Sequence, residues 1–144
     1  MNYNLILQEC HSMIKLNPKH EPMTEQIIML VKTVIKNTKY CNACMIEMQE
    51  RFDDGIDPSD IPYLIKTLLA LNRFIEDVNI TDVNLLRYIL YSMIIMYIDS
   101  KHYENYDFEP LRKFLDSSFD LLTIDPRELV IIQKLKKTSL NCCY

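Results

Sequence analysis

The chain has 144 residues, 49% of them hydrophobic, one domain's length and enough apolar material to build a core without disulfides or metal. Its formal charge of -4 offers no positive surface to follow a phosphate backbone, which argues against a generic nucleic-acid binder. A single glycine, against a usual share of about 7%, argues against the glycine-rich loops that cradle nucleotides.

Apolar spacing and punctuation predict an all-α fold, a single compact bundle of about six helices over residues 1–140, with a short Cys-containing tail at 141–144. The first helix is predicted over 3–16, burying Ile6, Leu7, Cys10, Met13 and Ile14 and turning Leu5, Gln8, Ser12 and Lys15 to its flank. Pro18 and Pro22 end it in a loop, because proline has no N–H and disfavours helix in the residue before it. From Thr24 to Phe52 a long second helix is predicted. Its stripe of Ile27, Val31, Val34, Thr38, Cys41, Met45, Met48 and Phe52 keeps a heptad rhythm interrupted only at Thr38.

The segment from Phe52 to Leu64 holds the only glycine. Its aspartates do not match a calcium loop, which needs glycine at the sixth position and glutamate at the twelfth. Gly55 is placed instead to cap the long helix in the left-handed region. A helix starting at Ser59 or Asp60 puts Pro62 in its first turn, where no intrahelical N–H partner is needed. That helix is predicted to reach Asp77, apolar at Ile61, Leu64, Ile65, Leu68, Leu69, Leu71 and Ile75.

Thr81 or Asp82 caps the next predicted helix, which runs to Asp99 and is apolar on nearly every side, as suits the centre of a bundle. Its most apolar stretch, 85–98, is shorter than the roughly 20 residues that cross a bilayer and contains Arg87 and Ser92, so no membrane span is expected. A polar loop over 101–107 leads to a helix with Leu111, Phe114, Leu115, Ser118 and Leu122 on its inner face. Asp125, Pro126 and Glu128 form the N-terminal signature of a final helix, which carries Lys134, Lys136 and Lys137 toward its end. The N-terminal residues have neither the basic region nor the apolar run of a signal peptide, so an intracellular, unsecreted chain with reduced thiols is expected.

Cys41-Asn42-Ala43-Cys44 has the spacing of a metal or redox pair. Zinc needs a second pair of ligands, for which Cys10-His11 and Cys142-Cys143 are the remaining sources, and thioredoxin-type chemistry needs the pair at a helix start after a strand. With Cys41 on the seam of the long helix, packed reduced cysteine is the expectation, and no metal or cofactor is assigned. His11, His20 and His102 have no nucleophile at helical spacing, and the latter two are expected as solvated loop residues. Glu47, Glu50, Asp53 and Asp54 read as a charged helix end, Arg127 with the late lysines as a basic end, and Met45, Met48, Met93 and Met96 as core. No catalytic residue is assigned.

Two resemblances accompany this reading. Gly55-Ile56-Asp57 with Asp60-Ile61-Pro62-Tyr63-Leu64-Ile65 resembles segments of small helical minor capsid and accessory virion proteins of large DNA viruses, which implies a structural role among other virion proteins. Asn84-Leu85-Leu86-Arg87 is similar to the Asn-Trp-Gly-Arg signature of viral Bcl-2-like proteins, with leucines at the tryptophan and glycine positions. That likeness implies a host-regulating binding protein built around an apolar central helix. Composition rich in Ile, Asn, Lys and Tyr fits an A+T-rich genome. The expectation is a non-enzymatic structural or interaction protein, in a virion or the host cytoplasm, a minor capsid or other virion component that binds neighbouring proteins or a second copy of itself through helix faces, with a viral Bcl-2-like binding protein as the alternative.

Overall fold

The structure, a computed structural model, describes residues 2–52, 60–72, 83–101 and 105–121. Among them there are six α-helices and no strand: α1 Tyr3–Leu16, α2 Thr24–Lys36, α3 Thr38–Arg51, α4 Asp60–Asn72, α5 Leu86–Ser100 and α6 Glu109–Leu121. The fold is an all-α compact bundle.

α1 starts where Asn2 can cap it, its side-chain oxygen accepting from Leu5 N–H at 3.1 Å. It buries Ile6, Cys10, Met13 and Ile14 of the predicted face, while Leu7 is only half-buried and Glu9 is buried in addition, and it ends before Pro18. The expected proline loop is instead a 3-10 turn, Pro18–Met23. Proline at its start and at Pro22 suits a tight turn in which fewer N–H groups are called upon.

The single long helix predicted from Thr24 to Phe52 is two helices, broken at Asn37. This residue sits at φ -83°, ψ 94°, outside the helical region, and its side chain accepts from Tyr40 N–H at 3.0 Å. Asparagine's short amide offers the backbone a local alternative to the helical ladder, and here it caps α3. The freed end of α2 is satisfied from both sides: Asn37 N–H reaches Val34 O at 3.0 Å, and the Cys41 thiol donates to the same oxygen at 3.3 Å. The heptad stripe survives the break at Ile27, Val31, Val34, Cys41, Met48 and Phe52, whereas Thr38 faces solvent and Met45 is half-buried. Asn37→Ala is expected to lose about 1 kcal/mol of stability by removing the cap, measurable as a lower urea midpoint at unchanged slope.

α4 begins at Asp60, which places Pro62 third in the helix, as anticipated. The proposed left-handed cap at Gly55, the caps at Thr81 and Asp82, the helix expected after Asp125 and the tail at 141–144 lie outside the described residues. A short 3-10 turn, Val83–Leu85, leads into α5. Every residue of α5 from Leu86 to Ile98 is buried, and α1, α2, α3, α4 and α6 all pack against it. This is the predicted central helix. α6 packs on α5 and α1 with Leu111, Leu115 and Phe119 inward; of the predicted inner face Phe114 and Ser118 are only half-buried, Phe119 is buried in their stead, and Leu122 lies outside the described residues. No helix among the described residues is long and apolar enough to cross a membrane.

Candidate functional site

A helix buried all round should be apolar all round, and α5 is not: Arg87 is 3% exposed and Ser92 is fully buried. These two residues anchor a polar layer between α5 and the elements α1, α6 and the 3-10 turn. Arg87 forms ion pairs with Asp116 through Nη1 and with Asp120 through Nη2, the latter at 2.6 Å. The amide of Asn17, at the end of α1, donates to the same Asp116 oxygen. The ring of Phe119 lies 4.9 Å beneath the guanidinium, adding cation–π contact. Asp116, Phe119 and Asp120 all come from α6, so one turn of that helix encloses the arginine.

One helical turn toward the N-terminus of α6, Arg112 pairs with Glu9 of α1. The Tyr91 phenol donates to Glu9 at 2.8 Å; burial, and then this bond, push the phenol's titration up, so it serves as a donor. On the next side of α5, His20 Nδ1 and the Tyr88 hydroxyl share a hydrogen bond of 2.7 Å, with the rings edge to face. Ser92 donates to Tyr88 O at 2.7 Å, and its hydroxyl and the Cys10 thiol share a hydrogen bond of 3.3 Å.

The electrostatics follow from this packing. The hydrogen bond from Arg87 holds the Asp120 carboxyl below its ordinary range, against its partial burial. A carboxylate whose folded pKa is depressed stabilises the fold above its unfolded value of about 3.9 and ceases to do so as pH falls through that value and the folded one. The acid limb of the stability curve should therefore begin near pH 4 and become shallower in Asp120→Asn, as acid titration followed by circular dichroism will show. Arg87 Nε is, among the described residues, a buried donor with no partner.

The residues that sequence spacing singled out are scattered. Cys41 and Cys44 lie near the start of α3, rather than deep within a longer helix, and both are buried and free. Burial pushes the Cys41 thiol up to about 11 and the Cys44 thiol up to about 12; burial also raises Cys10 to about 11, with Ser92 acting in the opposite sense. Buried thiols that resist ionisation are poor nucleophiles. Cys10, Cys41 and Cys44 are therefore expected to react with an aromatic disulfide reagent at pH 7.5 at least about a hundredfold more slowly in the native chain than in denaturant.

Among the described residues no three His, Cys, Asp or Glu side chains come together as a metal site. Cys10 is engaged with Ser92 and Cys41 with Val34, while His11 is exposed. His20 corrects the expectation of a solvated loop residue: it is 3% exposed, because the 3-10 turn folds it onto α5. His102, Asp53, Asp54, Arg127, the late lysines and Cys142-Cys143 lie outside the described residues. At the other end of the bundle Glu47 accepts from the Tyr63 hydroxyl at 2.8 Å, and Arg51 bonds Asp60 at 3.1 Å while stacking 4.1 Å over the Tyr63 ring. Glu47 is thus one member of a surface cluster joining α3 to α4; Glu50 is exposed.

No family model matches the chain, and neither a curated protein nor a solved structure is significantly similar to it.

Sequence reasoning missed the polar layer: Glu9, Asn17, His20, Tyr91, Arg112, Asp116 and Asp120. Two signals pointed toward it. Arg87 and Ser92 interrupt the most apolar helix, and Arg112, Asp116 and Asp120 recur every fourth residue, one place after each buried residue of α6.

Proposed function

We propose that this chain is a non-enzymatic interaction protein that binds other proteins through helix surfaces. The observation that carries the reading is how the polar layer is used. Arg87, Asp116, Asp120, Glu9, Arg112 and Tyr91 are spent on one another, holding α6 to the central helix, and the buried thiols are held protonated. Large apolar side chains meanwhile stand on outward faces, Met29 at 69% and Ile46 at 59% exposure.

One partner setting that the resemblances imply is the viral Bcl-2-like one. In support, Asn84-Leu85-Leu86-Arg87 stands at the start of the buried central helix, and Arg87 receives carboxylates from an amphipathic helix laid against it. A host-regulating binder of this kind captures amphipathic helices. Titration of the intact chain with BH3 peptides is the test, with saturable binding expected; no binding at any peptide concentration up to the millimolar range overturns the reading.

The second setting, a minor capsid or other virion component, draws on Asp60-Ile61-Pro62-Tyr63-Leu64-Ile65, which opens α4 and leaves Tyr63 partly exposed. It calls for the chain at fixed stoichiometry in purified particles; exclusion from particles refutes it.

A further inference from the structure

Cys41 and Cys44 have no part in the protein-binding reading, yet their placement is specific. They stand one turn apart in the first half of α3, both buried and free, just past the elbow at Asn37. In an α-helix the Cα atoms of residues i and i+3 are about 5 Å apart, inside the roughly 4.4–6.8 Å that a disulfide spans. Their Cβ atoms stand wider, at about 5–6 Å against the roughly 3.8 Å of a disulfide. Closing a bridge therefore draws the turn toward the tighter 3-10 winding, in which side chains i and i+3 eclipse. The reduced pair is also tied to its surroundings. The Cys41 thiol donates across the elbow to Val34 O at 3.3 Å and to Ile35 O at 3.7 Å, and Cys41 N–H bonds Asn37 O at 3.0 Å. Burial first of all raises the Cys44 thiol, while its hydrogen bond with the Tyr40 phenol acts in the opposite sense. Cys10, by contrast, is engaged with Ser92 of α5.

We propose that Cys41 and Cys44 close into a reversible intrahelical disulfide, a redox-sensitive fastening at the elbow between α2 and α3. With hydrogen peroxide as the oxidant, one thiolate attacks an oxygen and breaks the O–O bond, leaving a sulfenic acid and water. The second thiolate then attacks that sulfur, and the departing hydroxide takes up a proton. In total the two thiols lose two protons and two electrons, and the peroxide becomes two waters. A dithiol reopens the bridge by exchange. Closure takes the Cys41 S–H away from the carbonyls of α2 and tightens the turn that Cys41 N–H anchors to Asn37 O, so the bridge is felt where the two helices meet. Because both thiols are buried, the oxidant acts only when the start of α3 opens. The pair thus responds slowly and acts on its own chain, with no substrate to serve.

The test uses the wild-type chain, kept at pH 7.5 with a modest molar excess of hydrogen peroxide, then alkylated in denaturant and digested with trypsin. Cleavage after Lys39 and Arg51 gives a peptide 40–51 that contains Cys41 and Cys44 but not Cys10, Cys142 or Cys143. Mass spectrometry should find this peptide lighter by two hydrogens and unalkylated, and dithiothreitol should restore both thiols. In the oxidised chain the amides of Asn37, Tyr40 and Cys41 should exchange hydrogen about fivefold faster than in the reduced one, the scale of one lost hydrogen bond. Cys44→Ala should show no such change on treatment with peroxide. Sulfinic or sulfonic acid on separate cysteines, linkage to Cys10 or to another chain, or no loss of thiols in the folded chain overturns the proposal. Closure with unchanged exchange at the elbow overturns it too, since the bridge would then switch nothing. If Cys44→Ala does not fold, the wild-type mapping and exchange decide alone.

Discussion

Asp116→Ala is expected to destabilise the fold by about 3 kcal/mol, and by more than Arg87→Met at the other end of the same ion pair. The asymmetry comes from where each charge sits. The Arg87 side chain is 3% exposed, whereas those of Asp116 and Asp120 are 16% and 46% exposed. Removing Asp116 leaves a guanidinium buried with one partly exposed counter-charge, and it deprives Asn17 of its acceptor as well. Removing Arg87 leaves two carboxylates that can turn toward water, and methionine fills much of the vacated space, so about 1 kcal/mol is expected. Urea unfolding of both variants checks the order. A larger loss in Arg87→Met would mean that the arginine's packing, rather than its charge balance, holds α6.

Ile94→Ala is expected to cost about 4 kcal/mol. Ile94 is fully buried midway along α5, the helix that five others pack against, so the cavity it leaves has no loose edge that could collapse to fill it. Against a usual total of about 5–15 kcal/mol, that loss brings the chain close to unfolding at physiological temperature. Met29→Ala, by contrast, should change stability by no more than about 0.5 kcal/mol, since its side chain stands mostly in water. Thermal denaturation of the pair measures the difference. Equal effects would contradict the placement of α5 at the centre.

The span of α1, the start of α4 at Asp60 and the all-round burial of α5 were legible in the sequence because each depends on local signals, although α5 starts at Leu86, after a 3-10 turn, and so later than a cap at Thr81 or Asp82 implied. Those signals are an apolar face closed off by prolines, a proline compatible with only the first turn, and an apolar pattern covering every side. The break at Asn37 was local too, but the heptad stripe outweighed it. A stripe of that kind records which side chains are buried, and burial is preserved across a one-residue interruption when both halves pack on the same central helix. The Asn37-Thr38 pair, a cap followed by a poor helix former at the interrupted seam position, was the sign that favoured two helices.

The polar layer belongs to the other class. Arg87 and Asp116 are 29 residues apart, Glu9 and Arg112 are 103 apart, and His20 and Tyr88 are 68 apart. No spacing rule reaches across such separations. By itself the sequence determined the all-helical class, the buried central helix and most helix starts, since propensity, capping and periodicity act within a few turns. Tertiary structure alone decided that an arginine in the most apolar helix would be matched by two aspartates, and that a histidine between prolines would be buried. A charge inside a bundle is tolerable only where other elements bring its partners to it.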